Sequence, residues 1–368
     1  MLFDAFIGLG WRGLVIAAGT TILAMLILQP LATRLGLVDV PTARKNHVRH
    51  TPTSGGIAMM LGLTLAFLLR FTPSPSLVSF LVAAWLLIIT GWLDDRYDLR
   101  WWTRIGIQMS AALILIYGGG VRIEHIGPVF GFGATALGIL SVPLTLIATI
   151  GLINAVNMID GVDGLAGSLV LAALVMVLAA AIYSGNTPLA QRSLVLLGAV
   201  AGFLLFNFRF PWRRHAPAFM GNAGSALLGL TVAWCCFRLT QNAGHPVSPV
   251  LALWLAPVPV IDCWVLIVRR LKMGRSPFSA DHDHVHHLML EAGFGPLSIC
   301  LGLAVFTLLC GLLAGQCLRW DVPEPLLLAS YFGMALLWYA ITARRPRAVA
   351  LFRRARFWAR FEGAPATP

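Results

Sequence analysis

The sequence predicts an all-α, polytopic integral membrane protein. Three features carry that reading: a mean hydropathy of +0.81, a charged fraction of only 11%, and a succession of apolar runs long enough to cross a bilayer. With 58% of 368 residues hydrophobic, a soluble enzyme, a disordered regulator, a secreted disulfide scaffold and a freely diffusing nucleic-acid binder are all excluded. The six cysteines (Cys235, Cys236, Cys263, Cys300, Cys310 and Cys317) lie in or at the ends of apolar stretches, without CxxC spacing. They read as small buried hydrophobes, not metal ligands or disulfide partners. The first apolar run is long enough to span and others follow it, so no cleavable signal peptide is read.

A helix needs about 20 apolar residues to cross the hydrocarbon. Runs near 12–30, 55–71, 76–93, 102–118, 134–153, 164–183, 193–209, 224–239, 247–268, 295–318 and 324–343 predict eleven spans. An odd number places the termini on opposite sides and sorts the loops into two alternating sets. One set (31–54, 94–104, 154–163, 209–223, 269–294 and the tail from 344) holds 21 of the 27 lysines and arginines. By the positive-inside rule that set is cytoplasmic, with the N-terminus outside and the C-terminus inside. Residues 1–343 then form a single transmembrane domain, and 344–368 a basic cytoplasmic tail. Its seven arginines, interleaved with Phe352, Phe357, Trp358 and Phe361, predict an amphipathic helix lying on anionic lipid.

The chemistry-bearing residues sort to the same face. Eight of eleven aspartates and seven of nine histidines fall in the loops read as cytoplasmic, whereas only four glutamates occur in the whole chain. Short carboxylates beside Lys, Arg and His suit a site for Mg²⁺ and phosphates. The first loop runs from Asp39 through Arg44, Lys45 and His47 to Gly55-Gly56. It reads either as a phosphate-holding loop or as a positive-inside loop with a helix-start turn. In Gly91-Trp-Leu-Asp-Asp-Arg-Tyr-Asp98, a continued helix gathers Asp94, Asp95 and Asp98 on adjoining faces, where a shared cation relieves their repulsion; the alternative is an exposed acidic helix end balanced by Arg96, Arg100 and Arg104.

Asn or Asp recurs at 154, 157, 160 and 163, every third residue of a segment that ends in glycines. Helix capping accounts for one such residue, not four, and polar groups this close to hydrocarbon are usually functional. In Phe219-Met-Gly-Asn-Ala-Gly-Ser225, Asn222 taken alone reads as a helix cap, with ligand binding as the alternative. Four histidines at 282, 284, 286 and 287 suit a Zn²⁺ cluster by spacing, but the neighbouring Arg269, Arg270, Lys272 and Arg275 favour an anion. Asp262 lies inside the ninth span, where a carboxylate is either functional or structurally paired.

Taken in order, Arg44-Lys-x-His with Pro52 and Gly55-Gly56, Asp-Asp-Arg-Tyr-Asp, Asn-Met-Ile-Asp-Gly-Val-Asp-Gly, Phe-Met-Gly-x-Ala-Gly-Ser and His-Val-His-His resemble the polyprenyl-phosphate N-acetylhexosamine-1-phosphate transferases. The stretch from His245-Pro-Val-Ser-Pro249 through Ser276-Pro-Phe-Ser279 to His287–Phe294 is most similar to the bacterial WecA-type branch. The resemblance spans residues 30–295. It implies transfer of GlcNAc-1-phosphate from UDP-GlcNAc to undecaprenyl phosphate with release of UMP. That reaction is the first lipid-linked step of a cell-surface glycan such as lipopolysaccharide O-antigen, and it needs Mg²⁺, or Mn²⁺ in its place. The implied setting is the cytoplasmic face of a bacterial inner membrane. The implied partners are the two substrates, membrane lipids and, as a homodimer, a second copy of the chain, with no nucleic acid.

The same resemblance implies roles for individual residues. Asp94, Asp95, Asp160 and Asp163 are the expected catalytic carboxylates, and Asp95, Asn157 and position 222 lie nearest the metal. Lys45, Asn154, Asp160, Asp163, Phe219, His284, His286 and His287 bind nucleotide and phosphates, with Phe219 stacking on uracil, and Arg269 and Arg270 reach the sugar. The family pattern has Asp where this chain has Asn222, which predicts impaired metal binding. Direct attack by the lipid phosphate is expected, since in-line displacement needs only positioning and charge neutralisation. The alternatives are a phospho-MurNAc-pentapeptide or GalNAc-type transferase, or a transporter or flippase of a phosphorylated substrate. Transporters usually show inverted repeats and midplane charges, and here only Asp262 lies inside a span.

Overall fold

Helices form wherever the apolar runs lie. The computed structural model describes residues 10–39, 51–131, 133–213, 215–276 and 283–358, and these are almost entirely helical. In chain order they form α1 (Arg12–Leu31), a two-residue strand pair β1 (Val38–Asp39) and β2 (Thr51–Pro52), α2 (Gly55–Arg70), α3 (Pro75–Tyr97) and α4 (Trp101–Leu113). Next come α5 (Ser141–Ile159), α6 (Leu165–Tyr183), α7 (Thr187–Asn207), α8 (Gly221–Thr240), α9 (Val250–Leu255) and α10 (Pro257–Lys272). The chain closes with α11 (Val285–Glu291), α12 (Pro296–Arg319), α13 (Glu324–Thr342) and α14 (Arg345–Trp358). Among the described residues eight helices are long and apolar enough to cross a membrane: α1, α3, α5 with its preceding turn, α6, α7, α8, α12 and α13.

The other three predicted spans are helical but different in form. α2 has 16 residues, and α4 has 13 and continues into a π-helical turn over Ile114–Gly118. The ninth is broken. Ala256 leaves helical geometry (φ −134°, ψ 50°) ahead of Pro257, whose ring blocks a continuous helix and whose fixed φ suits a first helical position. α10 then runs to Lys272, so Arg269 and Arg270 sit on a helix rather than in the predicted loop. Likewise α5 extends past the expected boundary at 153 and carries Asn154 and Asn157 on its last turns.

α8 is the central helix: 89% of its apolar window is buried, against 17% for the peripheral α13. Its Trp234 is fully buried, lies 4.9 Å from the Phe80 ring and donates its indole N–H to the Ser76 carbonyl at 3.1 Å, fixing α8 to α3. With lipid tails as apolar as the helices themselves, such contacts depend on small residues that let backbones approach. A Cβ on Gly91 would collide with the backbone of Ala223. Gly91→Ala gains about 1 kcal/mol of helix propensity but inserts a methyl against backbone that cannot turn aside, an overpacking cost of roughly 1–3 kcal/mol. The expected net result is a lower thermal unfolding midpoint in detergent. An unchanged midpoint would show that α3 and α8 part freely there.

The two loop sets gather at opposite ends. At one end the Phe219 N–H donates to the Pro52 carbonyl, Asp163 pairs with Arg209, and Asp95 meets Asn222. At the other, the Gln241 side-chain oxygen accepts from the Glu124 and His125 N–H groups, and Arg192 reaches Ser74. The tail is tied down as well: Ala348, Val349 and Phe352 of α14 pack on Leu288 and Ala292 of the α11 segment, while Arg345 pairs with Asp283 and Glu291.

Candidate active site

The last turn of α3 delivers Asp94 and Asp95, and Asp98 follows as the helix C-cap, exposed and in a left-handed conformation (φ 50°). Asp94 is buried, contrary to the exposed helix end read from the sequence, because α4 and α8 close over it. It accepts the Leu99 N–H and the Asn222 side-chain amide, each at 2.9 Å, and the Arg104 guanidinium lies 3.5 Å away. Asp95 is exposed and accepts the backbone N–H of Asn222 through both oxygens, at 3.0 and 3.2 Å. It thereby satisfies an otherwise unpaired donor at the start of α8, where the helix dipole favours negative charge.

Asn222 is not a side-chain cap, since α8 begins without one. Its amide is drawn inward, donating to Asp94 and accepting from the Asn157 amide at 3.0 Å. Asn157 also donates to Ser225 at 2.8 Å and accepts from Arg104 at 3.4 Å. Four helices thus converge on one polar knot. It stands at one side of an open cleft whose other walls are mixed, with Leu87, Ile107, Ile153 and Ala226 beside Thr90 and Gln108. Hard cations take oxygen ligands, and the donor set here is two carboxylates and two carboxamide oxygens, which fits Mg²⁺ or Mn²⁺. Among the described residues no three of His, Cys, Asp or Glu are arranged to hold a metal.

Beyond α5 the Asn/Asp series divides. Asn154 ties α5 to α4 by donating to Gln108 at 2.7 Å. Asp160 follows the last helical residue; burial, with the carboxylates of Asp163 and Asp95 nearby, pushes it up to about 7. Asp163 accepts the Arg209 Nε–H at 2.6 Å and the Ala216 N–H at 3.3 Å. Asn207 accepts the Gly164 N–H and donates to the Ala218 carbonyl. The segment leading into half-buried Phe219 is therefore pinned to the Asp160–Gly164 turn.

The histidines reach the same turn. A side chain at Gly161 would overlap the His286 ring, so glycine makes room for it. The rings of His284 and His286 stack at 5.4 Å, and those of His286 and His287 lie 4.2 Å apart. Arg269 pairs with Asp283 at 3.3 Å, and Arg270 is buried on α10. Lys45 lies outside the described residues. Gln108, Asn207 and Arg209 join the site without having been singled out from the sequence. Ser225 closes the Phe219–Ser225 motif, and Arg104 was visible as a basic residue balancing the paired aspartates, but neither was given a role.

Comparison with known proteins gives the family of the chain. A sequence profile of glycosyl transferase family 4 matches residues 77–240, from α3 to the end of α8. The undecaprenyl-phosphate alpha-N-acetylglucosaminyl 1-phosphate transferase of Haemophilus influenzae is 37% identical over 74% of this chain and 76% of its own. Its namesake in Escherichia coli O157:H7 is 34% identical over 90% of each chain, and that of Yersinia pestis 34% over 89% and 90%. The chain therefore belongs to glycosyl transferase family 4, together with these undecaprenyl-phosphate sugar-1-phosphate transferases.

Proposed function

We propose that this protein transfers GlcNAc-1-phosphate from UDP-GlcNAc to undecaprenyl phosphate, forming undecaprenyl-diphosphate-GlcNAc and releasing UMP. The observation that carries the reading is the polar knot of Asp94, Arg104, Asn157 and Asn222 beside an open cleft partly walled by Leu87, Ile107, Ile153 and Ala226. One substrate is a lipid and the other a soluble nucleotide, so their phosphates must meet where apolar walls end. An oxygen of the lipid phosphate attacks the sugar-bearing phosphorus, forming a new P–O bond as the diphosphate bridge breaks and UMP departs. Asp94 and Asp95 orient the attacking phosphate and take its proton where it carries one, and Arg104 offsets its charge. Asp160 and Asp163 face the nucleotide with Phe219 against uracil, and the histidines and Arg269–Arg270 meet the diphosphate and sugar.

Mg²⁺, or Mn²⁺ in its place, would be held by Asp95, Asn157 and Asn222 with Asp94, and when bound supplies charge neutralisation to the phosphates. With Asn222 in place of a carboxylate, the site carries one negative charge fewer and turnover is slow. The positive-inside bias, read on the eleven spans expected from the sequence, supports a cytoplasmic position for this end of the bundle, and the membrane in this reading is a bacterial inner membrane.

The test is incubation of purified protein with labelled UDP-GlcNAc, UDP-GalNAc or UDP-MurNAc-pentapeptide and undecaprenyl phosphate, with and without Mg²⁺. Lipid-linked product from UDP-GlcNAc alone is expected; nucleotide loss without lipid product would sink the reading. Replacing His284, His286 or His287 with Ala is expected to weaken UDP-GlcNAc binding about ten-fold, the loss of one charge-assisted contact, without changing metal content. Stoichiometric zinc that disappears with these substitutions would instead make the cluster a metal site.

A further inference from the structure

We propose that Asp262 is the positioning residue for His284: a carboxylate buried in α10 that fixes the imidazole through Nδ1 and leaves Nε2 for the substrate. This role rests on the function proposed above. Asp262 is 2% exposed, and an ionisable group inside an apolar helix is expensive unless it is used. Three N–H groups surround it. His284 Nδ1 lies 2.8 Å from Oδ2, while Oδ1 accepts the Val285 N–H at 3.1 Å and the Trp338 indole N–H at 3.2 Å. The carboxylate therefore joins α10, the start of α11 and α13, a helix in which the motifs gave no reason to expect a contribution.

A carboxylate accepts and does not donate, so Nδ1 must carry the proton in either charge state of the ring. The ring is further held by stacking on His286, which packs on Gly161 beside Asp160. The tilt set at Asp262 is thus carried into the turn proposed to face the nucleotide. A carboxylate also permits a second proton at Nε2 when a diphosphate arrives. An amide does not: with its oxygen already engaged by Val285 and Trp338, Asp262→Asn turns its NH₂ toward Nδ1. That turns Nδ1 into an acceptor, so the ring meets the diphosphate only as a neutral Nε2–H donor and the imidazolium charge on the contact is lost.

The measurement is the equilibrium Kd of detergent-purified full-length protein for UDP-GlcNAc, in Asp262→Asn, His284→Ala and the double variant. Each single change is expected to raise Kd about ten-fold, and the double variant to match His284→Ala, because Asp262 acts through the ring. Trp338→Phe, which removes one tie to the same carboxylate but leaves the histidine contact, is expected to keep Kd within about twofold. Additive losses in the double variant, or a loss in Trp338→Phe equal to that in Asp262→Asn, would show a helix tie and overturn the proposal. Histidine ¹⁵N spectra of the wild type, with His284 assigned by its absence in His284→Ala, supply an arm that does not depend on the Asp262 variant folding. Nδ1 protonation is expected, and a neutral ring protonated only at Nε2 overturns the proposal. A wild type that binds no UDP-GlcNAc sinks the functional reading and this role with it, whereas binding with additive losses sinks this role alone.

Discussion

Asn222→Asp is expected to raise turnover at least ten-fold, about 1.4 kcal/mol of barrier, and to make the protein's thermal stability depend on Mg²⁺. The resemblance implies a carboxylate at this position, and the structure gives the physical difference. The Asn222 amide donates to Asp94 at 2.9 Å and accepts from Asn157 at 3.0 Å, so the knot is satisfied within the protein. A carboxylate in its place confronts Asp94 at the same spacing, and two like charges there must share a cation or a proton. The variant should therefore unfold at a lower temperature than the parent without Mg²⁺ and recover on titration, while the parent shifts little. Its backbone N–H still donates to Asp95, so the start of α8 is preserved. Equal rates and equal Mg²⁺ responses in both forms would show that position 222 does not touch the metal.

Asp94→Asn and Asp95→Asn are each expected to lower turnover about 100-fold, the low end of what a positioned proton acceptor contributes, but with different effects on stability. Asp94 is buried, with Leu99, Asn222 and Arg104 around it. An amide there sets two carboxamides against each other and leaves Arg104 without its carboxylate, so the unfolding midpoint should fall. Asp95 is exposed, and an amide oxygen still accepts the Asn222 N–H, so that midpoint should hold. Thermal unfolding in detergent beside initial rates separates the two. Activity within about twofold of the parent in both variants would remove these carboxylates from the chemistry.

The helical, membrane-type architecture and the grouping of loops at one end of the bundle were legible in the sequence, because both depend on one-dimensional quantities. Apolar run length sets where a helix can cross, and the alternation of basic loops sets which ends belong together. The paired aspartates, the Asn/Asp series and the histidine run were visible because such residues are costly beside hydrocarbon and stand out against it. Where the reading missed, the deciding force acted between segments remote in sequence. Asp94 reads as exposed at a helix end, yet α4 and α8 bury it. Asn222 reads as a cap, yet its side chain is drawn inward by Asp94 and Asn157 from other helices.

The sequence by itself determined the solvent this protein lives in, the ends of most helices and the list of polar groups at one face. Hydropathy, proline and charge act along a single segment and need no partner to be read. Tertiary structure alone decided which of those groups meet. Arg104 turns in beside Asp94; Asp163 holds a loop, and Asp262 finds His284 and, 76 residues beyond itself, Trp338. Hydrogen bonds are short and directional, so a pairing exists only once packed helices bring donor and acceptor within about 3 Å. Small residues such as Gly91 and Gly161 set how closely that packing runs, and no pattern along the chain encodes the distance across it.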